Sequence, residues 1–399
     1  MSLIGKLNNM HSGALFSLAF RPFFLAAALF SLLLMLTWLA LFSGWLSFAP
    51  YGGATFWHSH EMLFGFVGAV LAGFLLTAVQ NWTDIRAAHG KPLLILLLIW
   101  LAGRLLMAFP LLPASFILAV DLMFLPLAAL FVFVPLLARQ QTRNYFAVLA
   151  LFLLMLCNGI SHYGVLTDSP ALQQQAFFCA TLLITLMMAI IGGRIIPMFT
   201  GNTTQIAPRP RQNWLDNAGL AALWSLFALT LIGLDWQAPD WLFSLLFALA
   251  AILLAIRSSR WHFFSTLAYP LLWSLHIGYW WLIAGLAAFA AHYAGLDLSY
   301  NTALHCLTAG AMGMLILSMM SRVALGHTAR PIEASPMVTA SLLLVLLAAL
   351  VRVVGVNLPL KNDLIALQLS GGLWSLAFLL FFIRYLPILS KPRRDGQPG

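Results

Sequence analysis

The chain has 399 residues, 62% of them hydrophobic and only 8% charged, with a formal net charge of +9 and a mean hydropathy of +0.95. Long apolar runs recur from Phe23 to Leu389 at a density that a soluble core cannot bury, which excludes a soluble globular domain. A bilayer core needs about 20 apolar residues per spanning helix and tolerates only helices or closed barrels, so these continuous, non-alternating runs predict an all-α polytopic transmembrane bundle.

In chain order the predicted spans are 23–46, 57–80, 92–110, 114–138, 144–166, 171–198, 214–234, 239–257, 268–291, 301–323, 337–356 and 363–387. Their connections alternate in charge. Arg86 and Lys91, Arg139 and Arg143, Arg209 and Arg211, Arg257 and Arg260, then Arg330 mark every second loop, while the others carry Asp168, Asp235, Asp240 and Asp297 or no charge at all, with Lys361 beside Asp363 as the one basic exception. With Lys6 and Arg21 before the first span and Lys391, Arg393 and Arg394 after the last, the positive-inside rule puts both termini in the cytoplasm of a bacterial inner-membrane protein. The +9 charge is thereby explained by topology and gives no ground for nucleic-acid binding. No cleavable signal peptide is expected, because the first span is too long and lacks a small-residue cleavage site.

Five of the ten histidines fall toward the outer side. His58 and His60, followed by Glu61, open the second span; His162 ends the fifth; His292 precedes the tenth and His305 lies one turn inside it. His89, His262 and His327 belong to the inner side, and His276 is set deeper in the ninth span. Ionisable groups within a membrane cost about 2.5 to 3.5 kcal/mol at its centre and are retained when they have partners or a function. Neutral imidazole is a common ligand of haem iron and copper, so His58, His60, Glu61, His162 and His305 are candidate metal ligands. Hydrogen bonding to neighbouring helices or lipid headgroups is the competing explanation for any one of them.

Two helices share a design: His60 is followed by Gly65 and Gly68, and His305 by Gly310 and Gly313, both H-x4-G-x2-G. Glycines three apart clear one helix face for close packing or for approach of a flat macrocycle. In a regular helix His60 points about 200° away from His58, so His58, His60 and Glu61 cannot all reach one ion. The shared motif, with LLITLMM (182–188) in the sixth span and MLILSMM (314–320) in the tenth, suggests duplication of four-helix blocks within one membrane domain. GGRIIPMFTGN (192–202) and SRVALGHTAR (321–330) bring Arg194, Arg322, His327 and Arg330 to the inner surface, where they would suit propionates, phosphate headgroups or a quinone carbonyl, or act as anchors. Arg104 and Asp121 read as an ion pair between the third and fourth spans. Cys157, Cys179 and Cys306 have no spacing for a disulfide or thiolate cluster, although Cys306 with Met312 or Met314 offers soft donors for copper.

FRPFF (20–24), WHSHEMLFGFVGAVLAGFLLTAVQNWT, GGRIIPMFTGN and the stretch from His305 to Thr328 together resemble the NnrS family, from about residue 16 to about residue 330. The resemblance implies a twelve-helix bacterial inner-membrane protein that binds haem and copper and acts in the response to nitric oxide and relief of nitrosative stress. A haem–copper oxidase or nitric oxide reductase would need histidines on the sixth and seventh spans, which have none. A secondary transporter would concentrate its polar groups at mid-membrane rather than near one surface. The expectation is therefore a haem held by His60 and His305, with His58, Glu61 and His162 supporting it or holding copper, Gly65, Gly68, Gly310 and Gly313 giving close approach, Arg194 and Arg322 contacting the cofactor, and electrons from quinol or a periplasmic donor. An NO-reducing enzyme with a non-standard metal site is the remaining alternative.

Overall fold

The computed structural model describes residues 13–234, 237–357 and 363–397. Lys6, Asp235 and Lys361 of the charge pattern lie outside them. Among the described residues there is no strand, and twelve helices are long and apolar enough to cross a membrane. They are α1 (Phe20–Phe42), α2 (Ala54–Thr83), α3 (Lys91–Ala108), α4 (Ala114–Ala138), α5 (Tyr145–Leu166), α6 (Pro170–Thr204), α7 (Asn213–Leu231), α8 (Asp240–Ser258), α9 (Pro270–Tyr293), α10 (Tyr300–Gly326), α11 (Pro336–Val353) and α12 (Asp363–Leu389).

The predicted spans each fall on one of these helices, and two departures have local causes. α1 occupies 20–42 instead of 23–46: Pro22 sits in its first turn, where a missing N–H costs nothing, and Ser43 and Gly44 turn the chain out. α6 does not close at residue 198 but runs on through Pro197 to Thr204 before Gln205 adopts a left-handed φ of 58°. At 35 residues it is longer than a bilayer core requires, so its last turns project from the bundle. Starts are set by serine caps: Ser169, Ser299 and Ser335 accept from the backbone N–H groups of Leu172, Thr302 and Val338, and proline follows Ser169 and Ser335 directly.

Burial separates a centre from a ring. The apolar windows of α2, α6 and α10 are 83%, 78% and 72% buried, with α9 next at 67%, whereas α3 reaches only 33%. The ring helices turn residues such as Leu33, Ile95, Phe152, Leu245 and Ile383 outward, as lipid-facing surfaces do. α12 packs against both α11 and α1, closing the ring. An even number of crossings brings the chain's two ends to one face, where buried Arg21 donates to the carbonyls of Leu389 (3.0 Å) and Lys391 (2.6 Å). This is the basic end of the bundle; the other is the histidine end.

The H-x4-G-x2-G motif corresponds to a backbone feature. In α2 the residues Glu61–Val67, and in α10 the residues Cys306–Met312, form a π-helical segment that begins directly after the histidine and stops directly before the second glycine. Such wide turns leave backbone groups partly free for other partners and often occur at functional sites. In α2 the indole N–H of Trp100 donates to the Gly65 carbonyl at 3.0 Å. Three of the four glycines are packed closely by this chain's own side chains. A Cβ at Gly65 would come within 3.0 Å of Phe30, Glu61 and Arg104, one at Gly310 would come within 2.8 Å of the Trp281 ring, and one at Gly313 would come against Trp374 and Val345. Gly68 has only ordinary contacts with Phe124 and Leu125, at 3.8 and 3.9 Å.

Overpacking a filled site costs about 1–3 kcal/mol. Gly310→Ala is therefore expected to lower the midpoint of thermal unfolding in detergent, while Gly68→Ala leaves it within error of the wild type; equal behaviour of the two would show that the Trp281 contact does not require glycine.

Candidate functional site

His60 lies seven residues into α2 at the end of its first α-helical segment (Ala54–His60). Because that segment is regular, His58 and His60 leave the helix on different sides. His58 stacks on Trp38 of α1 with ring centroids 4.4 Å apart, whereas His60 enters a buried network between α3, α4 and α5. Its Nδ1 is 3.0 Å from Glu61 Oε1, and its Nε2 is 2.8 Å from Asn158 Oδ1 and 3.3 Å from Asp121 Oδ2. The Glu61 carboxylate meets His60 on one oxygen and Arg104 on the other.

Arg104 of α3 holds the network. Its Nε is 2.9 Å from Glu61 Oε2, and its Nη2 donates to Asp121 Oδ1. The ion pair between Arg104 and Asp121 expected from the sequence is thus present, but it is one side of a larger polygon. Asn158 Nδ2 donates to Asp121 Oδ2 at 2.6 Å, and His162 Nε2 lies 3.2 Å from the same oxygen. The other ring nitrogen of His162 faces the hydroxyl of Tyr51 at 3.3 Å. Tyr51 precedes α2, and burial, reinforced by Asp121, pushes its phenol up to about 12, so it remains an O–H group. His60, Glu61, Arg104, Asp121 and His162 are all buried.

Hydrogen-bond directions fix the charge balance. Asn158 gives its amide N–H to Asp121, so its oxygen is what meets His60. Both ring nitrogens of His60 then face oxygen atoms, and a protonated His60 would donate from both. Two carboxylates, one guanidinium and one imidazolium sum to zero, which is how a five-member ionisable cluster is sustained among apolar helices. The same atoms have a second capacity. His60, Asp121 and His162 each offer a ligand atom, all within 4.8 Å of one another, and they are the group of three or more His, Cys, Asp or Glu donors of this kind found among the described residues. Ligand atoms about 2.1 Å from an ion and roughly 90–110° apart are separated by about 3.0–3.4 Å. The two Asp121 edges, 3.3 Å to His60 and 3.2 Å to His162, already have that length.

The remaining predicted ligands lie elsewhere. His305 belongs with His58: both are within Coulombic range of Arg352, and His58 is within range of His305, while the contacts of His60 are with α4 and α5. His305 Nδ1 is tied to the Asn301 carbonyl at 2.7 Å, and His58 Nδ1 is buried with no hydrogen-bond partner. His292 is engaged with the Leu298 carbonyl at 2.9 Å. Cys306 is buried at the first π-helical position and joins no donor group of three among the described residues.

The geometry can be compared with known proteins. The family model described as "NnrS protein" matches residues 14–393. The chain belongs to the NnrS family. A search of curated proteins gave no match. The match to the NnrS model covers every member of the buried network and both π-helical segments, and family membership supports a nitric-oxide-related membrane protein of a kind that suits a metal or haem group. At the basic end of this NnrS chain, Arg194 and Arg322 cover different rings: Arg322 lies over Phe199 at 4.0 Å and Arg194 over Phe146 at 5.0 Å. His327 packs on Phe20 at 5.5 Å.

The sequence pairs Asp121 with Arg104 alone, whereas in the fold Asn158 also meets Asp121 and Tyr51 joins through His162. The signal for Asn158 was present, since it lies four residues before His162 on the same face of α5. Tyr51, in a loop, gave none.

Removing Arg104 would leave Glu61 and Asp121 buried without their cation, at a cost of about 3–5 kcal/mol. Arg104→Met is expected to unfold at markedly lower temperature, and adding Asp121→Asn to recover part of the loss; an additive double mutant, measured in a four-member thermal cycle, would refute the coupling.

Proposed function

We propose that the protein is a haem- and copper-binding protein of the bacterial inner membrane that acts in the response to nitric oxide and in relief of nitrosative stress, with the histidine end periplasmic. The observation that carries this reading is the convergence of His60, His162 and Asp121, from three helices, at metal-ligand spacing in a buried network. Two imidazoles and a carboxylate suit copper among the first-row metals. Binding would replace the protons now directed at Asp121 Oδ2, so uptake releases protons and falls with acid. Glu61 and Tyr51, at the far nitrogens of His60 and His162, fix the two rings and adjust their basicity, the usual work of groups behind metal ligands. Arg104 keeps Asp121 oriented.

His60 is fully committed in this network, so the imidazoles assigned to haem are His58 and His305. What supports them is the unpartnered, buried Nδ1 of His58 and the carbonyl-anchored Nδ1 of His305, which leaves a lone pair at Nε2. When bound, haem supplies an iron able to take nitric oxide at an open or labile position. The chain's own contribution is to hold the imidazoles on α2 and α10, His58 three residues before one π-helical segment and His305 directly before the other. A quinol or a periplasmic protein is the proposed electron donor.

The test uses purified wild type after haem- and copper-replete expression, with oxidised and reduced optical spectra and metal analysis on each sample. His162→Ala and Asp121→Ala are expected to lose copper and keep the Soret band; His58→Ala and His305→Ala are expected to lose or shift the Soret band and keep copper. Tyr51→Phe is expected to weaken copper binding by about 10–100-fold. A colourless, copper-free wild type would defeat the reading.

A further inference from the structure

At the basic end, remote from the histidine network, the projecting turns of α6 form one wall of a cavity of about 380 Å³. Six arginines line it, Arg143, Arg194, Arg209, Arg211, Arg257 and Arg260, together with a single carboxylate, Asp216. The sequence places Arg194 at the inner surface with Arg322, His327 and Arg330; the fold sets it instead among residues from the starts of α5 and α7, the end of α8 and the two loops beside them.

Asp216 is spoken for. It accepts from Arg211 at 2.7 and 3.1 Å and from Arg257 Nε at 2.7 Å. Arg257 is engaged as well: it donates to the Ala189 carbonyl and to Tyr279, and occupies space that exists only because Gly193 has no Cβ. Arg260 reaches the Pro210 carbonyl at 3.1 Å. Arg143, Arg194, Arg209 and Arg260 have no carboxylate partner among the described residues. Arg143, Arg211 and Arg257 all lie within Coulombic reach of Arg194, so the cations repel one another across the space.

The pocket is held open by its frame. The loop after α6 reads IAPRPRQ (206–212), in which Pro208 and Pro210 restrict the backbone that carries Arg209 and Arg211. Pro208 packs on Gly201, where a Cβ would lie 3.0 Å from its ring. The bonds from Arg260 to Pro210 and from Arg211 to Asp216 tie the loop to α8 and α7. Cations fixed close together without counter-charge call for an anion, and the planar fork of arginine matches phosphate oxygens in pairs. The cavity's lining also includes Pro197, Met198 and Ile206, and the latter two are outward-facing apolar residues.

We propose that this pocket binds a phosphate-bearing anion. Two sources supply that chemistry, the headgroup of an anionic phospholipid and a soluble phosphate compound, and the apolar rim is where acyl chains of the first would lie.

The full-length protein in neutral detergent is titrated with short-chain phosphatidylglycerol and, separately, with inorganic pyrophosphate, following the unfolding midpoint and counting retained molecules by native mass spectrometry. Saturable stabilisation is expected, with half-saturation shifted roughly tenfold or more in Arg143→Gln/Arg194→Gln, as loss of charged hydrogen bonds implies. Arg143→Gln alone, at an exposed side chain with no partner among the described residues, is expected to shift it in the same direction. Stabilisation by the lipid only assigns a headgroup, and stabilisation by pyrophosphate as well assigns a soluble phosphate. No saturable effect of either, or unchanged half-saturation in both variants, overturns the proposal.

Discussion

The histidine end depends on one guanidinium. Arg104 lies between Glu61 and Asp121 inside a bundle whose exterior is apolar, where either carboxylate alone would be too costly to keep ionised. With Arg104 present, both can remain charged, and each then orients a histidine. The helix packing follows the same demand. α2, α3, α4 and α5 meet at the level where these groups lie, and Gly65 is small so that the guanidinium and the Glu61 carboxylate fit beside the helix.

The two π-helical segments give the central helices a second common property. In each, the wide turn starts one residue after a histidine, and an indole lies against the first glycine: Trp100 through its N–H at Gly65, Trp281 through its ring at Gly310. The histidines are thus attached to locally altered backbone stabilised from a neighbouring helix. The resemblance between α2 and α10 extends from sequence to backbone geometry and partner type, and the three most enclosed helices are four apart in chain order, the spacing that repeated four-helix blocks would produce.

Much of this was legible in the residues. The twelve crossings followed from apolar run length, because the bilayer fixes helix length more strictly than any propensity does. The motif H-x4-G-x2-G was also visible, with close packing or approach of a flat ligand as its two readings; which side chains the glycines admit, Trp281, Trp374, Glu61 and Arg104, was not. The pairing of histidines was hidden for a different reason. Residues one turn apart can be placed on a helix face from sequence, whereas the choice of neighbour for that face depends on which helices pack together. Hence His60 met Asp121 and His162, and His305 was left with His58. Arg194 was misplaced in the same way, since the extent of α6 past Pro197 decided which loop arginines it would face.

Arg21 joins the beginning of the chain to its end. Its buried guanidinium donates to carbonyls 368 and 370 positions later, and α1 packs along α12. At about 5–20 residues per second, those acceptors are made roughly 20–70 s after Arg21 itself. During that interval the first helix carries an unsatisfied cation on a face that has no neighbour yet. The order of synthesis therefore gives α1 its α2 neighbour early and its α12 neighbour last, when the final helix closes the ring.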